Sequence, residues 1–240
     1  RIPTQFPSTV DALGAGTYYA NSGIFSSEND IHENQDFGRF DGDSMAAWAV
    51  VWGRAGGDLA IENGFMDIAN GVISNGAGGT IRTSGRYALG FRGGEEMKAR
   101  VTVDAWPLAD FRQAFGLNDW PAEGTVALAD LALRGPYLEL TGAGPLRIEN
   151  GTAWREPFER ATGNLVFEGR SGLRIRNIVM TKGPGQIDGE AFIDWHNGTY
   201  VFRAEGRSLP VEQLANFKFD LAPLTGRLAF KARGDANWSA

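Results

Sequence analysis

The residue types that most often carry enzyme chemistry are sparse in this 240-residue chain and stand in no catalytic pattern. Cysteine is absent, which excludes a thiolate metal site and a cysteine nucleophile. Ser44 follows Gly42, but the second glycine of a nucleophile elbow is missing. The stretch 76–79 (GAGG) lacks both the third glycine and the following helix of a dinucleotide loop. We therefore expect no cofactor and no enzymatic activity.

Carboxylates and histidines are the remaining candidates for acid–base or metal chemistry. Six carboxylates lie in the stretch 26–43 around His32, but the residue order of a calcium-binding loop is missing. Glu95 and Glu96 are adjacent before a strand-like segment, so their side chains would point to opposite faces. His196 stands beside an Asn-Gly turn. The sequence predicts no metal site, and a glycoside-active enzyme remains only as an alternative without a selected carboxylate pair.

Charge and hydropathy limit the partners further. The formal net charge is −6 and no Lys/Arg cluster occurs, so nucleic acid is not an expected partner. The apolar run Met45–Trp52 is too short to span a bilayer. The chain begins at Arg1, and we expect a piece of a longer protein. The seven tryptophans could bind sugars, although tryptophan on strands more often packs in a core.

The elements that would position any site are predicted to be strands. Apolar and polar residues alternate in the windows 146–149, 173–176, 187–195, 202–205 and 228–233, with Phe192 as a misfit. This period gives a strand one apolar and one solvated face. Glycine is abundant, at 33 residues, and Asn-Gly pairs, which favour tight hairpins, begin at Asn63, Asn70, Asn75, Asn150 and Asn197. The pattern predicts an all-β antiparallel meander.

Two segments depart from the β pattern. Apolar residues recur at helical spacing in Pro107–Asn118 and in Pro210–Phe219, which predicts two short amphipathic helices. Pro107 suits the first helical position. We expect both helices to cap or narrow the sheet.

Several phrases occur twice, which predicts an internal duplication. LAIENG begins at Leu59 and LRIENG at Leu146, and the motif Pro-x-x-Gly ends at Gly124 and again at Gly226. We divide the chain into an irregular polar segment (1–45), a first β repeat (46–128) and a second β repeat (129–240).

The apolar strand positions share one parity and are too many to leave in water. Exposing them would cost on the order of 20–40 kcal/mol, more than the roughly 5–15 kcal/mol stability of a domain. A second sheet, the same sheet curling over, or bound acyl chains could cover them. These candidate groove-lining residues are Leu59, Ile61, Leu146, Ile148, Leu165, Phe167, Leu173, Ile175, Ile187, Ile193, Phe202, Leu228 and Phe230.

Four segments together resemble the AsmA-like family of bacterial envelope proteins, and within it the TamB (translocation and assembly module) group. The segments are WPLADFRQAFGL (106–117), WPAEGTV (120–126), LPVEQLANF (209–217) and LAPLTGRLAF (221–230). The resemblance covers about residues 46–238 and does not extend to residues 1–45.

The resemblance implies a fold and a function that spacing alone does not give. It implies an elongated antiparallel sheet, curled into a hydrophobic groove, with short helices at the repeat boundaries. It further implies a periplasmic location in a parent protein anchored in the inner membrane. The expected partners are phospholipid and an outer-membrane barrel protein of the TamA type. Alternatives are a β-sandwich or β-solenoid that serves as a non-lipid adhesion or polysaccharide-binding module.

Overall fold

The computed structural model describes residues 17–20, 36–47, 49–90, 93–118, 120–194, 197–215 and 224–237. These residues form a single antiparallel sheet in which strands adjacent in sequence are adjacent in space, and only β7 departs from this order, by pairing with β8. Within the described residues the sheet does not close, so β1 and β14 are its two edges. The predicted all-β class and the elongated antiparallel sheet are therefore confirmed.

The strands are long and follow one another through short connections. They are β1 (Thr17–Ala20), β2 (Asp36–Ala47), β3 (Val50–Glu62), β4 (Phe65–Ser74), β5 (Thr80–Ala88), β6 (Met97–Asp104), β7 (Trp106–Pro107), β8 (Ala122–Gly135), β9 (Thr141–Ala153), β10 (Glu156–Glu168), β11 (Leu173–Lys182), β12 (Gly185–Asp194), β13 (Thr199–Pro210) and β14 (Arg227–Asn237). The helical elements are α1 (Leu108–Ala114) and the 3₁₀ turns Gly169–Ser171 and Val211–Gln213.

The Asn-Gly pairs have two structural roles. Asn63 and Gly64 have φ of 51° and 73° and form the tight turn between β3 and β4, as both residues of a type I′ turn require. Asn197-Gly198 also lies in a turn, before β13. The hairpin prediction is wrong at Asn70 and Asn150, which lie inside β4 and β9. Their positive φ values accompany register shifts, so each pair forms a bulge instead of a turn.

The loop between β4 and β5 contains the fifth pair. The Asn75 side-chain oxygen accepts hydrogen bonds from the N–H groups of Ala77 (3.0 Å) and Gly79 (2.9 Å). The connection is therefore longer than a two-residue turn, and the asparagine side chain organises it.

The predicted helices are shorter in the structure. Pro107 is the N-cap residue of α1, not its first helical residue, and α1 ends at Ala114, two residues before Gly116 with φ of 68°. The prediction for 210–219 is wrong over its described part, because the chain forms one 3₁₀ turn and is extended again at Leu214. Residues 216–219 lie outside the described residues.

The described part of the N-terminal segment forms strands. β1 lies at Thr17–Ala20 and β2 begins at Asp36, both within the stretch 1–45 that the sequence predicted to be irregular. β2 pairs along β3 from Asp36↔Ile61 to Ala47↔Val50, so backbone pairing outweighs its polar composition. His32, His196 and the greater part of the acidic stretch 26–43 lie outside the described residues.

The glycines that end the two Pro-x-x-Gly motifs occupy equivalent places beside the sheet. Trp106 pairs with Val126 two residues after Gly124, and Leu209 pairs with Leu228 two residues after Gly226. Both glycines have φ of 140°. The fully buried Trp106 (0% exposed) thus corresponds to the nearly fully buried Leu209 (1%).

The repeat boundary proposed between residues 128 and 129 lies inside β8, so the sheet is continuous across it. Structural equivalence is therefore supported at these landmarks, whereas the division into two units stays a prediction.

Candidate apolar binding face

One face of the sheet, here called the apolar face, contains all thirteen predicted groove-lining residues. The register places directly opposite residues of neighbouring strands on the same face. One row of such residues crosses seven strands without interruption from β8 to β14: Leu131, Gly144, Leu165, Ile175, Ala191, Phe202 and Gly234. A parallel row links β3 to β13: Leu59, Ile68, Gly85, Ala99, Leu133, Gly142, Phe167, Leu173, Ile193 and Tyr200.

The remaining predicted residues lie on the same face. Ile61 is opposite Met66, and Leu146 is opposite Ala129. A third row from β8 to β14 contains Val126, Ile148, Ala161, Met180, Ile187, Gly206 and Phe230. Leu228 shares the parity of Phe230 in β14. The structure therefore brings the thirteen residues together on one continuous surface.

The opposite face, here called the polar face, is laced with ion pairs between neighbouring strands. Arg100 and Asp130 approach to 2.5 Å, and Arg174 donates to Glu168 at 2.7 Å. The hydrogen bond from Arg100 lowers the pKa of Asp130, and that from Arg174 lowers the pKa of Glu168. These side chains remain accessible to water, so each pair contributes little to stability and mainly keeps this face solvated.

Phe192, the misfit in the alternation, lies on the polar face of β12. The guanidinium of Arg174 stacks over its ring, 4.6 Å from the centroid. A cation–π contact therefore covers an aromatic ring that would otherwise stand on a charged surface.

The first half of the apolar face is a packed core. The Trp52 ring of β3 lies 5.9 Å from the Trp106 ring of β7 and 5.6 Å from the Phe111 ring of α1, measured between centroids. The buried cluster around these rings extends through β5, β6 and β8 to Phe167, which is 9% exposed. In this half the sheet and α1 cover the apolar residues, so this region is core and offers no free groove.

The helix α1 is fixed over the core from both sides. The Gln113 side chain donates to the carbonyl of Ala49 at 2.6 Å, next to β3. The Arg112 guanidinium donates to the carbonyl of Ala122 at 2.7 Å, at the start of β8. The helix thus bridges two strands that are not neighbours in the sheet.

The second half of the apolar face, in β11 to β14, is less covered. Ile175, Ile187, Phe202 and Phe230 are each only partly buried. A Cβ on Gly206 would lie 2.3 Å from the Phe230 ring, and one on Gly234 would lie 2.6 Å from the Phe202 ring. Both rings therefore lie flat against glycines of the neighbouring strand and leave a smooth apolar surface above them.

A buried ion pair holds one end of this half together. The Lys182 ammonium contacts Glu156 at 2.5 Å and the carbonyl of Pro157 at 2.7 Å. The same Glu156 oxygen accepts the N–H of Ala215 at 3.0 Å. One carboxylate thus joins β10, β11 and the segment after β13.

A second buried carboxylate lies directly before β6. Glu96, 3% exposed, accepts the N–H groups of Gly93 (2.8 Å) and Tyr137 (2.9 Å). The Tyr137 hydroxyl donates to the carbonyl of Ala88 at 2.7 Å. Burial and the nearby Glu96 raise the pKa of Tyr137 to about 12. These contacts fix two loops and leave Glu96 engaged by backbone donors.

One aromatic contact crosses the second half of the apolar face. Trp154, in the turn between β9 and β10, lies with its ring centroid 5.3 Å from Phe202 and 6.0 Å from Tyr200 of β13. It remains 41% exposed. The hairpin tip therefore folds over the apolar face of a strand three places away in the sheet.

Neither Trp154 nor the Lys182–Glu156 pair was selected from the sequence. The only local signal was the alternation itself, in which Lys182 occupies an apolar parity in β11. The Trp154 contact depends on sheet curvature, which no local pattern encodes.

The described residues contain no group of three or more side chains suited to hold a metal ion. None of the helices described is long and apolar enough to cross a membrane. The chain matches no known family model, and no curated protein or solved structure proved similar to it. The fold and the apolar face therefore carry the functional argument.

Proposed function

We propose that this chain is a segment of a periplasmic protein that binds phospholipid acyl chains on its apolar face and conducts them between the inner and outer membranes. The proposal follows the resemblance to the TamB group, with outer-membrane lipid homeostasis and protein assembly as the processes served. A barrel protein of the TamA type is the proposed protein partner.

The observation that supports the proposal is the partly exposed apolar surface of β11 to β14. Its rows run across the strands, along the length of the sheet, and no charged side chain stands in the rows through Ile175 and Ile187. An acyl chain lying along such a row removes apolar surface from water on both partners. Dispersion contacts with the flat Phe202 and Phe230 rings add to this attraction. The charged head group stays in water.

The contribution of each half differs in this proposal. The cluster around Trp52 and Trp106 is a closed scaffold that holds the sheet curled. The acyl chains contact the second half, where Ile175 and Ile187 are accessible. Leu59 and Ile61, only partly buried in β3, would extend the surface at the other edge of the scaffold.

The test is to purify the chain from bacterial cells without detergent, denature it and analyse the organic extract by mass spectrometry. We expect phospholipid at a reproducible molar ratio, and loss of most of it in Ile175→Asp. Phe167→Asp is a poor test because Phe167 belongs to the packed core.

The matched control is Val179→Asp, which places the same charge on the polar face of the same strand, since Val179 lies opposite Asp188. We expect it to retain lipid. Both variants must show wild-type circular dichroism, so that loss of lipid is separated from loss of fold. A lipid-free extract from folded wild-type protein would contradict the proposal.

The packed first half favours a second candidate, a non-lipid adhesion or polysaccharide-binding module with a closed interior. In that case the second half would also be covered, and neither variant would differ from wild type in lipid content.

A further inference from the structure

The turn between β9 and β10 has an unusual sequence for its backbone conformation. Trp154 and Arg155 have φ of 50° and 66°, so both central residues are left-handed. Such turns strongly favour Asn and Gly. A bulky residue with positive φ is strained, and such outliers concentrate at functional sites. The presence of tryptophan at this position is therefore better explained by a contact outside the turn than by the turn itself.

The backbone of this turn is firmly held. The Trp154 N–H donates to the carbonyl of Pro121 at 2.8 Å. Glu156, directly after the turn, is paired with the buried Lys182. The indole, in contrast, is 41% exposed. The backbone of Trp154 is therefore fixed, while part of its indole faces solvent.

The indole lies where two apolar rows reach β13. Phe202 follows Leu165, Ile175 and Ala191 in one row, and Tyr200 follows Phe167, Leu173 and Ile193 in the other. Trp154 contacts both rings, so a linear chain extended along the row through Ile175 meets the indole, whereas Phe167 and Ile193 in the other row are buried.

We infer that Tyr200 and Phe202 form a subsite for one unbranched aliphatic chain and that Trp154 covers this subsite in the empty protein. Binding of the chain displaces the indole. This inference rests on the proposed function. It names the place on the apolar face where the aliphatic ligand and the Trp154 indole compete for the same two rings.

Competition between indole and chain makes a definite prediction for affinity. The apparent dissociation constant equals the intrinsic one divided by the fraction of protein with the cover open. Removal of the indole should therefore tighten binding and speed association, whereas a tryptophan that forms part of the site wall would do the opposite.

The probe is cis-parinaric acid, a fluorescent fatty acid, titrated into the full chain and mixed with it in stopped flow. Trp154→Asn removes the indole with a residue suited to a left-handed turn. Trp154→Phe retains a smaller ring. Leu138→Asn is the control, because Leu138 is an exposed apolar residue (52%) in the turn between β8 and β9.

We expect Trp154→Asn to lower the Kd and raise the association rate by at least about threefold. Trp154→Phe should fall between Trp154→Asn and wild type, and Leu138→Asn should equal wild type. Binding that is unchanged or weaker in Trp154→Asn would overturn the cover. Failure of folded wild-type protein and of every variant to bind the probe would overturn the proposed function, and the subsite with it.

Discussion

Trp52 and Trp106 lie with ring centroids 5.9 Å apart, although β4 and β5 separate β3 from the column of β6 and β7 in the sheet. In a flat sheet three strand spacings would keep the backbones of these two residues about 14 Å apart. The contact therefore indicates that the sheet curls over its apolar face. It also divides that face into a closed half and a more accessible half.

Trp106 should be essential for the closed half. It is fully buried, so Trp106→Ala should lower the free energy of unfolding by about 3–5 kcal/mol. Urea denaturation followed by circular dichroism measures the loss. Leu138→Ala, at an exposed turn, should change stability by less than about 0.5 kcal/mol. Equal effects of the two changes would show that the Trp52–Trp106 contact does not hold the sheet.

Lys182 and Glu156 should be coupled. Lys182→Met removes one partner of a largely buried pair and leaves Glu156 without its cation, so we expect a loss of about 3 kcal/mol. Adding Glu156→Met should recover part of the loss, but not all, because the Ala215 N–H also loses its acceptor. A double-mutant cycle in urea gives the coupling energy. Purely additive losses would contradict the pairing.

Arg155 should be replaceable with a gain in stability. Glycine adopts φ of 66° without strain, so Arg155→Gly should raise the free energy of unfolding by about 0.5–1 kcal/mol. Arg160→Gly, inside β10, should instead lower it by about 0.5–1 kcal/mol. Thermal denaturation of both variants distinguishes these outcomes, and a destabilising Arg155→Gly would mean that the turn is not strained.

Tyr137 should make stability fall at alkaline pH. Its pKa is raised from the ordinary value of 10.0 to about 12, mainly by burial, so the fold favours the neutral phenol. The resulting stabilisation is complete below pH 10 and is lost as pH rises towards 12. Tyrosinate absorbance and urea denaturation across this range measure the effect. Tyr137→Phe should flatten the fall, while the remaining part reflects Tyr87, whose pKa burial also raises. An unchanged fall would exclude Tyr137 as its source.

The fold class and the apolar face were predictable because both depend on a period of two. Alternation alone placed Ile175, Ile187 and Phe202 on one face, and the register confirms their common orientation. A bulge adds one residue to a strand. The apolar positions therefore change there from odd to even numbers, while their side chains stay on the same face. The shift between Ile175 and Ile178 in β11 is an example.

Turns and long-range contacts were less predictable. Asn-Gly has the same local preference in a turn as in a bulge, so nothing in the sequence separates Asn63 from Asn150. The turn at Trp154-Arg155 contains no residue typical of turns, so local preference does not predict it. Its tryptophan instead contacts Phe202, which is distant in sequence. The helix predicted over 210–219 is wrong in its described part for a related reason, because Leu214 is buried in an extended conformation.

Binding of an acyl chain to the apolar face is tested most directly with neighbouring labels on opposite faces of one strand. The chain has no cysteine, so Met180→Cys (apolar face, opposite Ile187) and Val179→Cys (polar face, opposite Asp188) each create one labelling site. With acrylodan at each site, oleate should produce a saturable blue shift at position 180 and none at 179. An equal response at both positions, or no response at either, would contradict binding at this face.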